Sequence, residues 1–98
     1  MVKLSVLYGH PTSADAFEKY YRETHMPLAG KMGVRIELAK AIGAPDGGKP
    51  AYYRTAEVYF DDMDHLKRVM GSPAGQATAG DLKNFATGGA TLFISEVV

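Results

Sequence analysis

Four stretches of this chain alternate apolar and polar residues with a period of two, and between them two stretches switch to helical spacing. Few folds accommodate that order. From Val2 to Gly9, Val2, Leu4, Val6 and Tyr8 alternate with Lys3, Ser5 and Leu7, as a strand does when one side is buried. His10-Pro11 ends the run, and Thr12 or Ser13 is placed to cap a helix. From Ala14 onward Phe17, Tyr20, Tyr21, Thr24 and Leu28 fall at helical intervals, with Glu18 and Arg22 paired on the flank. Pro27 disfavours helical backbone at Met26, so the spacing predicts a helix over Ala14 to His25. Alternation returns from Val34 to Ile42, followed by the loop-like Gly43 to Pro50. A third strand is predicted from Tyr52 to Phe60. Asp61 then offers an N-cap for a short helix carrying Met63, Leu66, Val69 and Met70 inward, with Gly71 as its stop. Ser72-Pro73 opens a second helical piece to about Lys83, weakened by Gly75 and Gly80. Gly88-Gly89 turns the chain into a last strand, Ala90 to Val98.

The order is β-α-β-β-α-(α)-β. Two right-handed split crossovers then give an α+β, ferredoxin-like arrangement, a four-stranded antiparallel sheet with helices on one face. The 98 residues are expected to form one domain, 1–98. A chain this short buries only about 60–65% of its unfolded surface, so a second buried face would strengthen a thin core. The alternation supplies a candidate. The side away from the helices carries Lys3, Ser5, Leu7, Arg35, Glu37, Ala39, Thr55, Glu57, Tyr59, Thr91, Phe93 and Ser95. It is too apolar for a purely water-facing sheet and too charged for a second core. Two such sheets facing one another would make an eight-stranded dimeric α/β barrel with an amphipathic interior, of a size that holds one small ligand.

Eleven basic residues balance eleven acidic ones, and neither sign forms the stripe that a nucleic-acid backbone requires. Without cysteine there is no thiolate nucleophile, disulfide or zinc–sulfur site, a composition that fits the cytoplasm. The apolar start is too short for a signal core and no stretch is long enough to span a membrane. The three histidines lack metal-ligand spacing. One imidazole is chemically able to ligate haem, but no further feature points to haem, and no cofactor or metal is expected. Gly47-Gly48-Lys49 runs into Pro50 and a strand where a phosphate loop needs a helix. His65 should face water, and His10 is an ordinary turn residue. His25 stands out. It lies at the edge of the apolar arc beside Tyr21, at the predicted helix end, and a half-buried imidazole there can exchange protons near neutrality.

The chain also resembles a family. Phe17, Tyr20-Tyr21 and Thr24-His25-Met26-Pro27-Leu28 are similar to the helix-end signature of EthD-like proteins, named for ethyl tert-butyl ether degradation. The likeness continues through Ala56 to Asp61, Ser72-Pro73, Asp81 and Phe85. The resemblance implies a barrel-forming homodimer with His25 as the characteristic polar residue. Its relatives include dehydratase- or decarboxylase-like proteins and proteins accompanying oxidative degradation, and similar barrels include cofactor-free monooxygenases and muconolactone isomerases; fold analogy alone does not choose among them. The leading expectation is a protein that holds a small, largely apolar organic molecule in the dimer barrel, accessory to oxidative degradation. In the alternative, His25 is the general acid/base of a cofactor-independent enzyme. The expected pocket comprises Leu7, Tyr21, Glu37, Glu57, Tyr59 and Phe93, with Tyr21 or Tyr59 orienting the substrate and Glu37 or Glu57 orienting the imidazole.

Overall fold

A computed structural model describes all 98 residues. The elements are β1 (Val2–Tyr8), α1 (Ala14–Tyr20), a π-helical turn (Tyr21–His25), α2 (Met26–Gly30), β2 (Ile36–Lys40), β3 (Arg54–Phe60), α3 (Met63–Gly71), α4 (Pro73–Phe85) and β4 (Ala90–Glu96). The sheet runs β2-β3-β1-β4, every neighbouring pair antiparallel, which is the ferredoxin-like order. Leu4 stands opposite Val58 and Ile94, and Val6 opposite Ala56 and Leu92. These residues share the helix-facing side, so the period-two reading of the sequence assigned the faces correctly. The two outer strands are shorter than predicted at their ends.

The first helix departs most from expectation. It does not stop at His25 but continues through Pro27 to Gly30. The π turn makes this possible. The Met26 N–H reaches back five residues to the Tyr21 carbonyl, so the missing N–H and bulky ring of Pro27 fall on a turn that is already opened. The wide turn also aligns the buried face. Phe17, Tyr21, His25 and Ala29 are all buried at four-residue intervals. In a regular α-helix each such step drifts forward by about 40°. A wide turn rotates each residue by less and recovers part of that drift.

Aromatic rings join this rod to the sheet and to α4. Tyr8 packs edge-on to Phe17 and Tyr21, with ring centroids 5.3 and 5.6 Å apart. Phe85 lies 5.1 Å from Phe17 and 4.5 Å from His25. Such pairs add about 0.5–1.5 kcal/mol each beyond the area they bury. A second cluster of Val58, Phe60 and Leu66 anchors α3.

Of the two cap candidates for α1, Ser13 fills the position by accepting from the Ala16 N–H. Asp62, rather than Asp61, caps α3 by accepting from the His65 N–H. His65 does not face water freely. Its Nδ1 accepts from the Asp61 N–H at 3.0 Å and its ring meets the edge of Phe60.

Ser72 ends α3 and starts α4, its Oγ accepting from the Gly75 N–H. The turn is so tight that a Cβ on Gly75 would sit 2.2 Å from the Val69 carbonyl oxygen. Gly80, in the same helix, has open space around it. Gly80→Ala should therefore stabilise the protein by about 0.5–1 kcal/mol through helix propensity. Gly75→Ala should destabilise it by about 1–3 kcal/mol through overpacking. Urea unfolding midpoints of the two variants, moving in opposite directions, check this.

Candidate functional site

His25 is only 4% exposed and lies between the helical layer and the sheet. Its Nδ1 is 2.9 Å from Asp81 Oδ2 on α4, across the helix–helix contact. The other oxygen of Asp81 accepts from the Tyr20 hydroxyl at 2.6 Å and from the Asn84 side-chain amide at 3.0 Å. Burial pushes the Asp81 carboxyl up. The bonds from Tyr20, Asn84 and His25 more than offset it and hold the group below the usual carboxylate range. An ionised carboxylate only accepts, so His25 Nδ1 carries the proton and donates. In the neutral ring, Nε2 is then the free acceptor.

A cavity of about 50 Å³ lies beside this pair, between the helices and the sheet. Leu4, Val6, Ala56 and Val58 form its floor, and Met26, Met32 and Met70 are among its walls. Of its 16 lining residues 14 are hydrophobic, leaving His25 and Thr78 as the polar exceptions. The Thr78 hydroxyl is tied to the Ala74 carbonyl, so the polar atoms left for the cavity are those of the imidazole and of the Tyr8 and Tyr21 phenols. Tyr8 and Tyr21 close the same end of the cavity. Burial raises both phenols above the ordinary tyrosine range, and both stay neutral donors near pH 7. Tyr21 stacks on His25 at 5.5 Å and 18°, while the Arg54 guanidinium lies 4.8 Å over its ring.

Of the residues singled out in the sequence, only His25 and Tyr21 meet at this cavity. Leu7, Glu37, Glu57, Tyr59 and Phe93 lie on the opposite face of the sheet, and the sheet's backbone separates them from the imidazole. One pocket lined by all seven is thus corrected. So is the role of a glutamate in orienting His25, which falls to Asp81. On the open face Glu57 accepts from Ser5 and pairs with Lys3 at 3.6 Å. Arg35 lies over the Tyr59 ring at 4.6 Å and pairs with Glu37 at 3.2 Å. The Tyr59 hydroxyl and Arg35 hold the Glu37 carboxyl below its ordinary range. Phe93 is 49% exposed. His10 donates from Nε2 to the Pro50 carbonyl at 2.7 Å, pinning the long loop.

Asp81 was the residue that periodicity missed. It shares the buried stripe of α4 with Thr78 and Phe85. A carboxylate at such a position demands a buried partner, and that was the available signal.

The fold and the enclosed His–Asp pair define a small ferredoxin-like protein with a single-protomer cavity. Residues 9–89 match the EthD domain, and the chain belongs to the EthD family. It is 36% identical to an ethyl tert-butyl ether degradation (EthD) family protein from Bacillus halodurans, with a TM-score of 0.93 and coverage of 100% of this chain and 99% of that one. It is 32% identical to an uncharacterized 11.0 kDa protein of the thcB-thcC intergenic region of Rhodococcus erythropolis, over 98% of this chain and 94% of that protein. At lower identity the same fold occurs in a dimeric protein of unknown function from Bacteroides fragilis (16%, TM-score 0.67, covering 98% and 95%). It also occurs in SnoaB, a cofactor-independent oxygenase from Streptomyces nogalater (18%, TM-score 0.62, covering 98% and 90%). No helix is long and apolar enough to cross a membrane.

Because the folded-state value of Asp81 is depressed, its contribution to stability is complete above the unfolded value of about 4 and is lost as pH falls through the lower folded value. Asp81→Asn lacks that titration and turns an amide donor toward groups that already donate. It should cost about 1–3 kcal/mol at pH 7, and the gap to wild type should narrow below about pH 4. Urea unfolding at pH 7 and pH 3 measures both.

Proposed function

We propose that the protein binds a small, largely apolar organic molecule in the cavity between its helices and sheet, with His25 Nε2 as the polar contact. The observation that carries this reading is a buried imidazole fixed by Asp81 and bordering an otherwise apolar space. At about 50 Å³ the resting cavity is below the roughly 300–1,000 Å³ of common ligand sites. Methionine walls adapt readily, which suits a ligand of a few carbon atoms that pushes them aside. Family membership supports a role accessory to oxidative degradation of organic compounds, and the cysteine-free composition fits the cytoplasm.

The His25–Asp81 pair favours a second reading of the same cavity. A carboxylate that fixes the tautomer of an imidazole also stabilises the imidazolium formed when Nε2 takes a proton. Without any cofactor, His25 would then act as general acid/base on a proton beside a carbonyl or on a leaving hydroxyl. His25→Gln should fold and retain its stability to within about 1–2 kcal/mol, while ligand affinity or turnover falls at least tenfold. Unchanged binding would reduce His25 to a structural residue.

The single-domain chain is proposed to act as a homodimer through the open face of the sheet. The molecule measures 39 × 31 × 17 Å, a two-layer slab whose bare side carries Leu7, Tyr59 and Phe93. Sheet-to-sheet pairing would bury about 2,000 Å² or more in a stable dimer. Sedimentation at micromolar concentration should show two chains per particle. Phe93→Ala should weaken the dimer by about 3–5 kcal/mol if the ring is buried there. An effect within about 0.5 kcal/mol together with a monomeric wild type would overturn the barrel.

A further inference from the structure

Two buried polar atoms in the molecule have no hydrogen-bond partner, the Tyr21 hydroxyl and Arg54 Nε. Buried polar groups are nearly always paired, so an orphan asks for an explanation. Here the two orphans belong to side chains in direct contact, because the Arg54 guanidinium covers the Tyr21 ring. One arm of the Arg54 fork is held, its Nη2 reaching Glu18 at 3.3 Å. Glu18 also accepts from the Tyr53 hydroxyl and pairs with Lys40 at 3.8 Å. Glu18 thus serves two cations and a hydroxyl, and it does not serve Tyr21.

Tyr21 lines the cavity, is only 2% exposed, and stacks beside His25. The polar groups therefore gather at one end, with Leu4, Val58, Ile36 and Met70 forming an apolar remainder. The polar neighbour of the Tyr21 hydroxyl in the lining is the Tyr8 hydroxyl, and a phenol that donates to the Tyr21 oxygen still leaves the Tyr21 proton without an acceptor.

Building on the cavity reading above, we propose that the Tyr21 hydroxyl, backed by the Arg54 guanidinium, receives a ligand oxygen, and that the ligand class is a small ketone with an otherwise apolar body. A carbonyl oxygen accepts the hydrogen bond that Tyr21 has to give. It carries no charge that would have to be buried, and the Arg54 cation over the Tyr21 ring strengthens the phenol as a donor. With the oxygen held at Tyr21, the neighbouring carbon lies toward the stacked imidazole. His25 Nε2 is then placed to take a C–H proton from that carbon as the electron pair moves onto the oxygen. Returning the proton to carbon reverses the step, and no oxidant or reductant enters.

Two probes separate this inference from the reading it rests on. Xenon reports an apolar cavity regardless of hydrogen bonding, and butan-2-one labelled with ¹³C at the carbonyl reports the oxygen contact. In wild type, xenon binding should be visible by ¹²⁹Xe NMR. The bound ketone's ¹³C resonance should move downfield, as a hydrogen-bonded carbonyl does. Tyr21→Phe removes only the orphaned hydroxyl, so it should fold with unchanged or higher thermal stability and bind xenon as wild type does. Its affinity for butan-2-one should drop about tenfold, the scale of one buried hydrogen bond, and the downfield shift should vanish. If xenon binds but the ketone does not, or if Tyr21→Phe binds the ketone with the same affinity and shift, the oxygen site is wrong while the cavity stands. If neither probe binds, both readings fall.

Discussion

The carboxylate of Asp81 is the interaction on which the helical layer depends. It accepts from Tyr20 and His25 on the long rod and from Asn84 on its own helix. Removing a carboxylate from water costs several kcal/mol unless its lone pairs are met, and here three donors converge on it. The register between the rod and α4 follows, since sliding either helix by a turn would leave the charge unsatisfied. The tautomer of His25 follows from the same contact. One buried acid thus couples the packing of two helices to the chemistry of the ring between them.

The rod could not meet that acid without its π turn. Tyr20 and His25 are five residues apart and would diverge on a regular helix. Opening one turn lets Phe17, Tyr21, His25 and Ala29 share a buried face while Tyr20 still reaches Asp81. Widened turns of this kind recur at functional sites in helices. In this protein the widening coincides with the residues that border the cavity.

The strands were legible because alternation is a local property. Which residue of each pair faces the helices could be read from Val2 through Tyr8 alone, and pairing with β3 and β4 preserved that assignment. The helix end was not legible. Pro27 normally forbids a continuing α-helix, and nothing in residues 21–27 by themselves reveals that a five-residue hydrogen bond will absorb it. The place of His25 at the edge of the buried arc could be read from its neighbours, but its pairing with Asp81 could not. Asp81 is 56 residues away, and long-range polar pairs leave no periodic trace. The cavity beside His25 left no local trace for a related reason. Large side chains such as Tyr59 and Phe93 mark the open face of the sheet in the sequence, whereas this void arises from the three-dimensional packing around Leu4, Ala56 and Met70.

Three of the cavity's walls are thioethers, Met26, Met32 and Met70. Their plasticity has a chemical counterpart. Conversion of any one of them to its sulfoxide would introduce a strong dipole and a new stereocentre into a surface that otherwise repels water. A molecule seated in the void would shield the sulfur atoms from oxidants, and an empty void would leave them open to attack, so filling and oxidative wear would be linked properties of one small space.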